Sequence, residues 1–204
     1  ISSHAQSLQS CSGGASGRVV GLIAAEAERM GALISVMLDF ARGDSGRLGL
    51  ALEPMDPEAL LLEAFERLLP LDPSRLLLAP ALRDPLAWIE IDRERVQQCL
   101  AALVDNALKY ATGPVELALS QSPSSVVLHV LDRGSGIPEL ERAAVVQRFA
   151  RGSTAVGTRG SGIGLATVTL LMEAMHGQLV IAEAPGGGAD MQLRFSASNR
   201  PPAP

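Results

Sequence analysis

Apolar residues recur with a helical period near the start of the chain. Between Arg18 and Arg42 they are spaced alternately by three and four positions, which predicts a long amphipathic helix with a seam for a neighbouring helix. The seam consists of Val20, Ile23, Ala27, Met30, Ile34, Met37 and Ala41. Leu33 and Phe40 widen this stripe beyond what one helical hairpin can cover. The pattern therefore favours a dimer in which two hairpins form a four-helix bundle. The alternative is a helix packed on its own domain.

The rest of the chain alternates between strand-like and helix-like segments. Ile1–Cys11 has the pattern of a helix end, and a hinge at Gly43–Gly46 precedes the mixed part. Strands are predicted at Leu48–Glu53, Arg75–Ala79, Trp88–Ile91, Val115–Ser120, Ser125–Leu131, Gln178–Glu183 and Asp190–Phe195. Helices are predicted from Pro57 to about Leu69, with Asp56 as N-cap, at Arg95–Thr112, with Asp92 as candidate N-cap, and at Leu165–Met175. This order predicts an α+β fold, a two-layer sandwich of one mixed sheet with helices on one face.

Composition narrows the class of protein. Hydrophobic residues make up 47% of the chain and aromatic residues only 3%, so the core must be aliphatic. The 22 acidic and 17 basic residues give a net charge of −5, which argues against a nucleic-acid-binding surface. No apolar run approaches the roughly 20 residues that span a bilayer, and no signal peptide is evident. Cys11 and Cys99 are far apart, so we expect reduced thiols, as in a cytoplasmic protein.

The stretch Asp132–Pro138, with the sequence DRGSGIP, carries the first candidate chemistry. It follows an apolar strand, so Asp132 is expected to end that strand at a buried edge. A carboxylate can accept a hydrogen bond from an exocyclic amine such as that of adenine. Gly134 and Gly136 allow the backbone to approach a flat ring closely. The stretch alone is a moderate signal, because such turns are common.

A polar face on the predicted helix Arg95–Thr112 is the second candidate. Asn106, Lys109 and Tyr110 share this face with Ala102. An amide oxygen can bind Mg²⁺, an ammonium can meet a phosphate, and a phenol can hydrogen-bond to either. A merely solvated polar face is the alternative interpretation.

Three alternating glycines form the third candidate. Gly160, Gly162 and Gly164 directly precede an apolar helix, where free backbone N–H groups attract phosphate oxygens. Their spacing differs from that of a dinucleotide-binding fold, and no Gly-Lys-Ser/Thr follows as in a P-loop. As a lone cluster it would be more typical of a flexible loop.

Together these stretches resemble the catalytic ATP-binding domain of bacterial sensor histidine kinases, in the superfamily of gyrase, heat-shock chaperone and mismatch-repair ATPases. VDNALKYA resembles the N box, DRGSGIP the first glycine box and RGSGIGLA the second. VQRFARG, at 146–152, resembles the F box, with Phe149 and Arg151 in the matching places. The resemblance covers roughly Leu48 to Ser196 and implies that ATP and Mg²⁺ are bound.

The resemblance also implies individual roles. Asn106 would hold Mg²⁺, Lys109 and Tyr110 would contact phosphates, and Asp132 would bind the adenine amine. Asn106 and Lys109 are the expected catalytic residues, and Arg151–Gly164 the expected lid over the nucleotide. The full expected nucleotide-binding set is Asn106, Lys109, Tyr110, Asp132, Gly134, Gly136, Arg151, Gly160, Gly162, Gly164 and Leu165.

The first part of the chain resembles another element of that family. EAERMGALISVMLDFARGDSG, at 26–46, is similar to the second helix of the dimerisation and phosphoacceptor hairpin. The family's phosphoacceptor motif, a histidine with an acidic neighbour and a following proline, is absent, and His4 is followed by Ala-Gln-Ser-Leu. We therefore expect the phosphoacceptor upstream of Ile1, or a version that lacks it. The expected domains are 1–45, a partial hairpin, 46–198, the catalytic domain, and 199–204, a disordered tail.

The resemblance implies a protein histidine kinase of a two-component system. It would transfer the ATP γ-phosphate to an upstream histidine and onward to a response-regulator receiver domain. It would form a homodimer through Arg18–Arg42, and would be cytoplasmic or the cytoplasmic part of an inner-membrane sensor. Ala102 departs from the pattern, because hydrolysing relatives carry a glutamate there and many histidine kinases an asparagine. Losing one polar contact to a charged site typically costs roughly 1.5–3 kcal/mol, which keeps open a degenerate or phosphatase-biased module that binds ATP weakly or not at all.

Three further residues have plainer interpretations. His129 is expected to be a surface or sheet-packing residue on the strand face opposite Asp132. His176 suits a helix C-terminus, with Gly177 as the left-handed residue that ends the helix. Asp105 is as well explained by a solvated acid as by a role in the site.

Overall fold

The computed structural model describes residues 49–82, 87–150, 152 and 162–198. The strands are β1 (Glu53–Met55), β2 (Leu76–Leu78), β3 (Ile89–Ile91), β4 (Val115–Ser122), β5 (Ser125–Leu131), β6 (Gln178–Glu183) and β7 (Ala189–Ser196). The helices are α1 (Pro57–Leu68), α2 (Arg93–Tyr110), α3 (Glu139–Val145) and α4 (Gly164–Ala174). The predicted helical hairpin and the predicted tail lie outside the described residues.

The main sheet has five strands in the order β2-β4-β5-β7-β6. Only β2 and β4 are parallel, and the other neighbours are antiparallel. Apolar residues on one face of β4, β5 and β7 are buried, as are the facing residues of α1, α2 and α4. This arrangement confirms the predicted α+β sandwich with a mixed sheet, and both predicted hairpins, β4–β5 and β6–β7, are present.

Two details of the predicted sheet are wrong. β1 and β3 do not join the main sheet but form a separate antiparallel pair. The first strand also begins at Glu53, where the sequence predicted that it would end. The backbone N–H of Ala51 donates to Asp92 Oδ2 at 3.0 Å, 41 residues further along the chain, and so bonds to a side chain instead of a strand.

Helices α1 and α2 begin where side-chain caps predict. Asp56 accepts a hydrogen bond from Glu58 N, and Pro57 occupies the first helical position. Asp92 accepts from Arg95 N, so α2 starts two residues earlier than the hydrophobic pattern indicated. At the other end, the Arg75 guanidinium donates to three backbone oxygens, those of Leu108, Ala111 and Gly113. These bonds anchor the carboxyl end of α2 beside β2.

The end of α4 corrects one expectation. The residue with a left-handed backbone is His176, with φ of 57°, and Gly177 has no positive φ. Gly177 N nevertheless donates to Met172 O at 2.8 Å. A β-carbon on Gly177 would lie 2.7 Å from Met172 Cε and 2.9 Å from Arg194 O. Glycine is therefore required at 177 for space, and not for backbone conformation as the sequence suggested.

Among the described residues, no helix has the length and apolar character to cross a membrane. Cys99 is a free, fully buried thiol in α2. Burial raises the pKa of Cys99 to about 12, an effect that the positive charge of Arg95 partly offsets.

Candidate functional site: a cavity between the α2 helix and the sheet

A cavity of about 200 Å³ lies beside α2 and the loop that follows β5. The amino end of α4 and the residues after α3 close its other sides. Its lining includes Ala102, Leu103, Asp105, Asn106, Ala107, Lys109, Tyr110, Asp132, Gly134, Ser135, Gly136, Ile137, Val145, Ala150, Gly152, Gly162, Gly164, Leu165, Ala189 and Met191. Residues from all three stretches singled out in the sequence therefore surround one space.

One face of α2 forms a wall of this cavity. Asn106 lies one helical turn after Ala102 and one before Lys109 and Tyr110, so helical spacing alone places them together. The Asn106 amide makes no hydrogen bond with another described residue. A β-carbon on Gly164, the first residue of α4, would lie 3.7 Å from Asn106 Nδ2. The amide thus lies next to a helix N-terminus and has both polar atoms available for a ligand.

Lys109 is already engaged in an ion pair. Its ammonium contacts the Asp105 carboxylate one helical turn earlier, and both side chains are about half exposed, at 45% and 53%. The sequence left open whether Asp105 belongs to the site, and this ion pair with Lys109 places it there. It also means that a phosphate at Lys109 must compete with a neighbouring carboxylate.

Asp132 also lines the cavity and is 8% exposed. Its Oδ1 accepts two backbone hydrogen bonds, from Gly134 N at 2.8 Å and from Ala189 N at 3.1 Å. Oδ2 accepts none from the described part of the chain. The carboxylate is therefore held in a fixed orientation with one oxygen left for a donor on a ligand.

The glycines of the first box are required by close packing. A β-carbon on Gly134 would lie 3.1 Å from Asp132 Oδ1 and 3.2 Å from Ala111 Cβ. Gly136 has φ of +69° and faces the carbonyl of Gly188. These contacts disfavour side chains at two positions that line the cavity.

The second glycine box is described only in part. Gly162, Gly164 and Leu165 line the cavity, whereas Gly160 and Arg151 lie outside the described residues. α4 begins without a side-chain hydrogen bond at its N-cap, Ile163. Within the described ranges, no side chain therefore caps its first backbone N–H groups, the kind of donors that bind anions at a helix N-terminus.

The F-box phenylalanine does not line the cavity. Phe149 has a left-handed backbone with φ of 64°, is 65% exposed, and donates from its N–H to Gly162 O at 2.9 Å. This bond joins the F box to the second glycine box. A β-carbon on Gly162 would lie 2.7 Å from Ala150 O, so glycine is needed for that approach.

Sequence reasoning missed several lining residues. Ile137, Val145, Ala189 and Met191 supply an apolar wall, and α3 was not predicted at all. A signal for Ala189 was available, since it follows three consecutive glycines at the start of a strand. The three glycines predicted only a hairpin turn, and not a contact with the cavity at the residue that follows them.

The comparison with known families agrees with this geometry. Residues 91–199 match the family model of histidine kinase-, DNA gyrase B- and HSP90-like ATPases, which is just over half of the chain. The chain belongs to this family. Within the family, its similarity to sensor histidine kinases identifies it as a histidine kinase ATP-binding catalytic domain.

Two sensor kinases illustrate the sequence similarity. The probable sensor histidine kinase TcrY of Mycobacterium tuberculosis is 34% identical over 169 residues, covering 80% of this chain and 35% of TcrY. The signal transduction histidine-protein kinase AfsQ2 of Streptomyces coelicolor is 32% identical over 186 residues, covering 90% of this chain and 34% of AfsQ2. The chain thus spans about a third of the length of these relatives.

Solved structures show the same relationship. Full-length ShkA in complex with AMPPNP matches with a TM-score of 0.76 and 29% identity, covering 96% of this chain and 42% of ShkA. The ATP-binding domain of PrrB from Mycobacterium tuberculosis matches with a TM-score of 0.59 and 26% identity, covering 72% of this chain and 98% of PrrB. The expected histidine kinase-type ATPase fold is confirmed.

Proposed function

We propose that this chain is the ATP-dependent core of a protein histidine kinase in a two-component system. It transfers the γ-phosphate of ATP to a histidine upstream of Ile1, and the phosphate passes onward to a response-regulator receiver domain. The observation that carries the proposal is that the Asp132 carboxylate and the Asn106 amide line one cavity. One recognises the base of the nucleotide, and the other its phosphates.

The Asp132 end of the cavity suits adenine. Two backbone N–H groups hold Oδ1, so Oδ2 is left to accept a hydrogen bond from the exocyclic amine. The apolar side chains of Ile137, Val145 and Met191 provide a surface for a flat ring. A base with a carbonyl oxygen in place of the amine would bind less well, because that oxygen and Asp132 Oδ2 are both acceptors and would repel each other.

The other end suits a triphosphate. The Lys109 ammonium and the uncapped start of α4 at Gly164 place positive charge and free N–H groups beside the cavity. The Asn106 amide is unpartnered among the described residues and offers an oxygen of the kind that Mg²⁺ accepts as a ligand. Mg²⁺ bound there would neutralise part of the negative charge of the phosphates. Tyr110, 39% exposed, contributes a phenol for a further phosphate contact.

The chemistry that these residues support is positioning and charge neutralisation, which is what phosphoryl transfer mostly requires. Ala102 lines the cavity and has no group that can activate water. Hydrolysis of the gyrase kind is therefore disfavoured, and transfer to a histidine supplied by another segment is favoured. The complex of ShkA with AMPPNP supports a nucleotide at this site.

Two partners belong to the proposal. The seam between Arg18 and Arg42 forms the homodimer, as its spacing of apolar residues favours. The response-regulator receiver domain accepts the phosphate, as the names of the sensor kinase relatives support. The dimer is tested with the variant Ile34→Glu, for which light scattering should give a monomer.

The proposal is tested with a protein extended upstream to include the preceding helix. Incubation with Mg²⁺ and ATP labelled on the γ-phosphate should give a protein phosphate that is labile in acid and stable in alkali, as a phosphohistidine is. Asn106→Ala should abolish labelling, whereas Glu63→Gln, in an exposed ion pair with Arg93, should not change it. A protein that binds ATP and releases inorganic phosphate, without labelling itself, would contradict the proposal.

A degenerate or phosphatase-biased module is the second candidate. Ala102 and the ion pair between Asp105 and Lys109 favour it, because both reduce the polar contacts open to a phosphate. In that case the extended protein would stay unlabelled and would bind ATP weakly or not at all. Faster dephosphorylation of a phosphorylated receiver domain would then identify the phosphatase.

A further inference from the structure

A chain of polar side chains crosses three strands on the face of the sheet opposite the cavity. Ser120 Oγ in β4 lies 2.7 Å from His129 Nε2 in β5, and His129 Nδ1 lies 3.0 Å from Asp190 Oδ1 in β7. Ala189 and Met191 line the cavity, so strand alternation places Asp190 on the reverse face. We call Ser120, His129 and Asp190 the His129 relay.

Asp190 is the buried member of the relay, whereas Ser120 and His129 are partly exposed, and the hydrogen bonds continue from Asp190 along β7. Asp190 is 5% exposed and Gln192 is 8% exposed. Gln192 Nε2 donates to Asp190 Oδ2, and the Arg194 guanidinium donates to Gln192 Oε1 at 2.6 and 2.9 Å. A buried carboxylate is tolerated only where such donors surround it. The relay therefore fixes the position of Asp190 across the β5–β7 pair.

Asp190 directly follows Ala189, and the backbone N–H of Ala189 holds the candidate adenine-binding carboxylate, that of Asp132. Ala189 N donates to Asp132 Oδ1, and Asp132 N donates in return to Ala189 O at 2.9 Å. Asp190 also pairs in register with Leu131, the residue before Asp132. The relay on one face of the sheet and the carboxylate on the other thus share the same stretch of β7 backbone.

We propose that His129 and Asp190 are positioning residues that set base selectivity by holding Ala189 against Asp132. The inference rests on the proposed function, in which Asp132 Oδ2 accepts the exocyclic amine of adenine. A carboxylate without a fixed orientation makes a poorer hydrogen bond to the amine, so its preference for adenine over a base with a carbonyl oxygen becomes smaller. The phosphate end of the site lies on α2 and α4, away from the relay.

Ser120 keeps the relay intact when His129 changes charge. Asp190 requires a proton on Nδ1, so neutral His129 accepts at Nε2 from the Ser120 hydroxyl. Protonated His129 donates from Nε2 to the same oxygen, because a hydroxyl both donates and accepts. The geometry that holds Ala189 is therefore available in both charge states of the imidazole.

The test uses a disruptive variant and a rescuing one. His129→Leu removes both hydrogen bonds of the imidazole, whereas His129→Asn places an amide N–H close to the position of Nδ1 and keeps the bond to Asp190. Should His129→Leu fail to fold, the double variant His129→Val with Asp190→Val removes the relay without leaving a buried charge. Ser122→Ala is the control, since it removes the contact of 2.8 Å with Ser125 at the far end of the β4–β5 hairpin.

Two readouts are measured on each variant. Hydrogen exchange of the Asp132 and Ala189 amides should accelerate about tenfold in His129→Leu relative to that of Val126, since local opening exposes those amides alone. Competition against a fluorescent ATP analogue gives the affinities for ADP and inosine diphosphate, whose base lacks the amine. The preference for ADP should fall about fivefold, roughly the loss of one hydrogen bond, and His129→Asn should restore it.

The outcomes separate this inference from the proposed function. Unchanged exchange at Asp132 and Ala189 in His129→Leu would overturn the positioning role. Accelerated exchange with an unchanged preference for ADP would overturn the role in selectivity, provided that Asp132→Asn does remove that preference. If Asp132→Asn binds both nucleotides as the wild type does, the assignment of Asp132 itself is wrong, and both proposals fall together.

Discussion

Gly188 lies directly against the peptide carbonyl of Asp132, so that a β-carbon on Gly188 would overlap the oxygen. Its φ of +100° is one that residues with side chains rarely adopt. The turn between β6 and β7 therefore packs against the backbone of Asp132, directly before Ala189, which lines the cavity. Gly136, in the first glycine box, faces the carbonyl of Gly188 and completes this contact between two loops.

Gly188→Ala should weaken ATP binding as well as stability, because the new methyl group must displace the backbone of Asp132. Gly187→Ala is a matched control, since Gly187 has φ of +97° but has open space where a β-carbon would be placed. Each variant should lose about 1–3 kcal/mol through backbone strain, and only Gly188→Ala should lose more and reduce ATP affinity. Thermal unfolding and calorimetric titration measure both, and equal behaviour of the two variants would contradict the role of the contact.

Asp132→Asn should leave the fold intact and remove most of the affinity for ATP. The asparagine oxygen can still accept from Gly134 N and Ala189 N, which turns the amide NH₂ toward the cavity. A donor then faces the adenine amine, and we expect a loss of about tenfold or more from the missing charged hydrogen bond. To this variant, inosine triphosphate, which presents an oxygen there, should bind better than ATP. Wild-type ATP affinity in a folded variant would refute the assignment.

Local signals explain what could be predicted from the sequence. The caps at Asp56 and Asp92, and the strand alternation that ends at Asp132, are properties of short segments that the fold does not override. The wall of α2 was predictable because helical spacing alone places Asn106 and Lys109 on one face. Four motifs in one order then indicated a common cavity, which the structure contains.

The features that were missed depend on contacts between distant segments. β1 pairs with β3 and not with the main sheet, and Ala51, before β1, bonds to Asp92, directly after β3 and 41 residues away. The relation of His129 to Asp190 depends on the register of β5 with β7, which no local pattern shows. His129 was expected to be a surface or sheet-packing residue, and its contacts with Ser120 and Asp190 were not predicted.

Cys99 should make the fold less stable in alkali. The thiol in the unfolded chain loses its proton near pH 9.0, whereas burial keeps the folded thiol protonated to about pH 12. The contribution of the protonated thiol to the free energy of unfolding is therefore complete below pH 9 and is lost between pH 9 and about 12. Over this range the unfolding constant should rise by at most about tenfold for each pH unit. Cys99→Ala should lack this slope, and denaturant unfolding at several pH values compares the two proteins.

In a Cys11→Ser background, iodoacetamide should label Cys99 only after unfolding, and rapid labelling of the folded protein would contradict its burial.

The ion pair between Lys109 and Asp105 should restrain nucleotide affinity. Asp105→Asn removes the partner that engages the ammonium and one negative charge beside the phosphates. We expect ATP affinity to rise by about threefold, the scale of a half-exposed ion pair, and the gain to shrink as salt is added. Adenosine, which has no phosphate, should bind equally to both proteins. Glu63→Gln is the control, because it breaks an ion pair of similar exposure with Arg93, at the opposite end of α2 from Lys109. A fall in ATP affinity in Asp105→Asn would instead show that Asp105 holds Lys109 in its binding position.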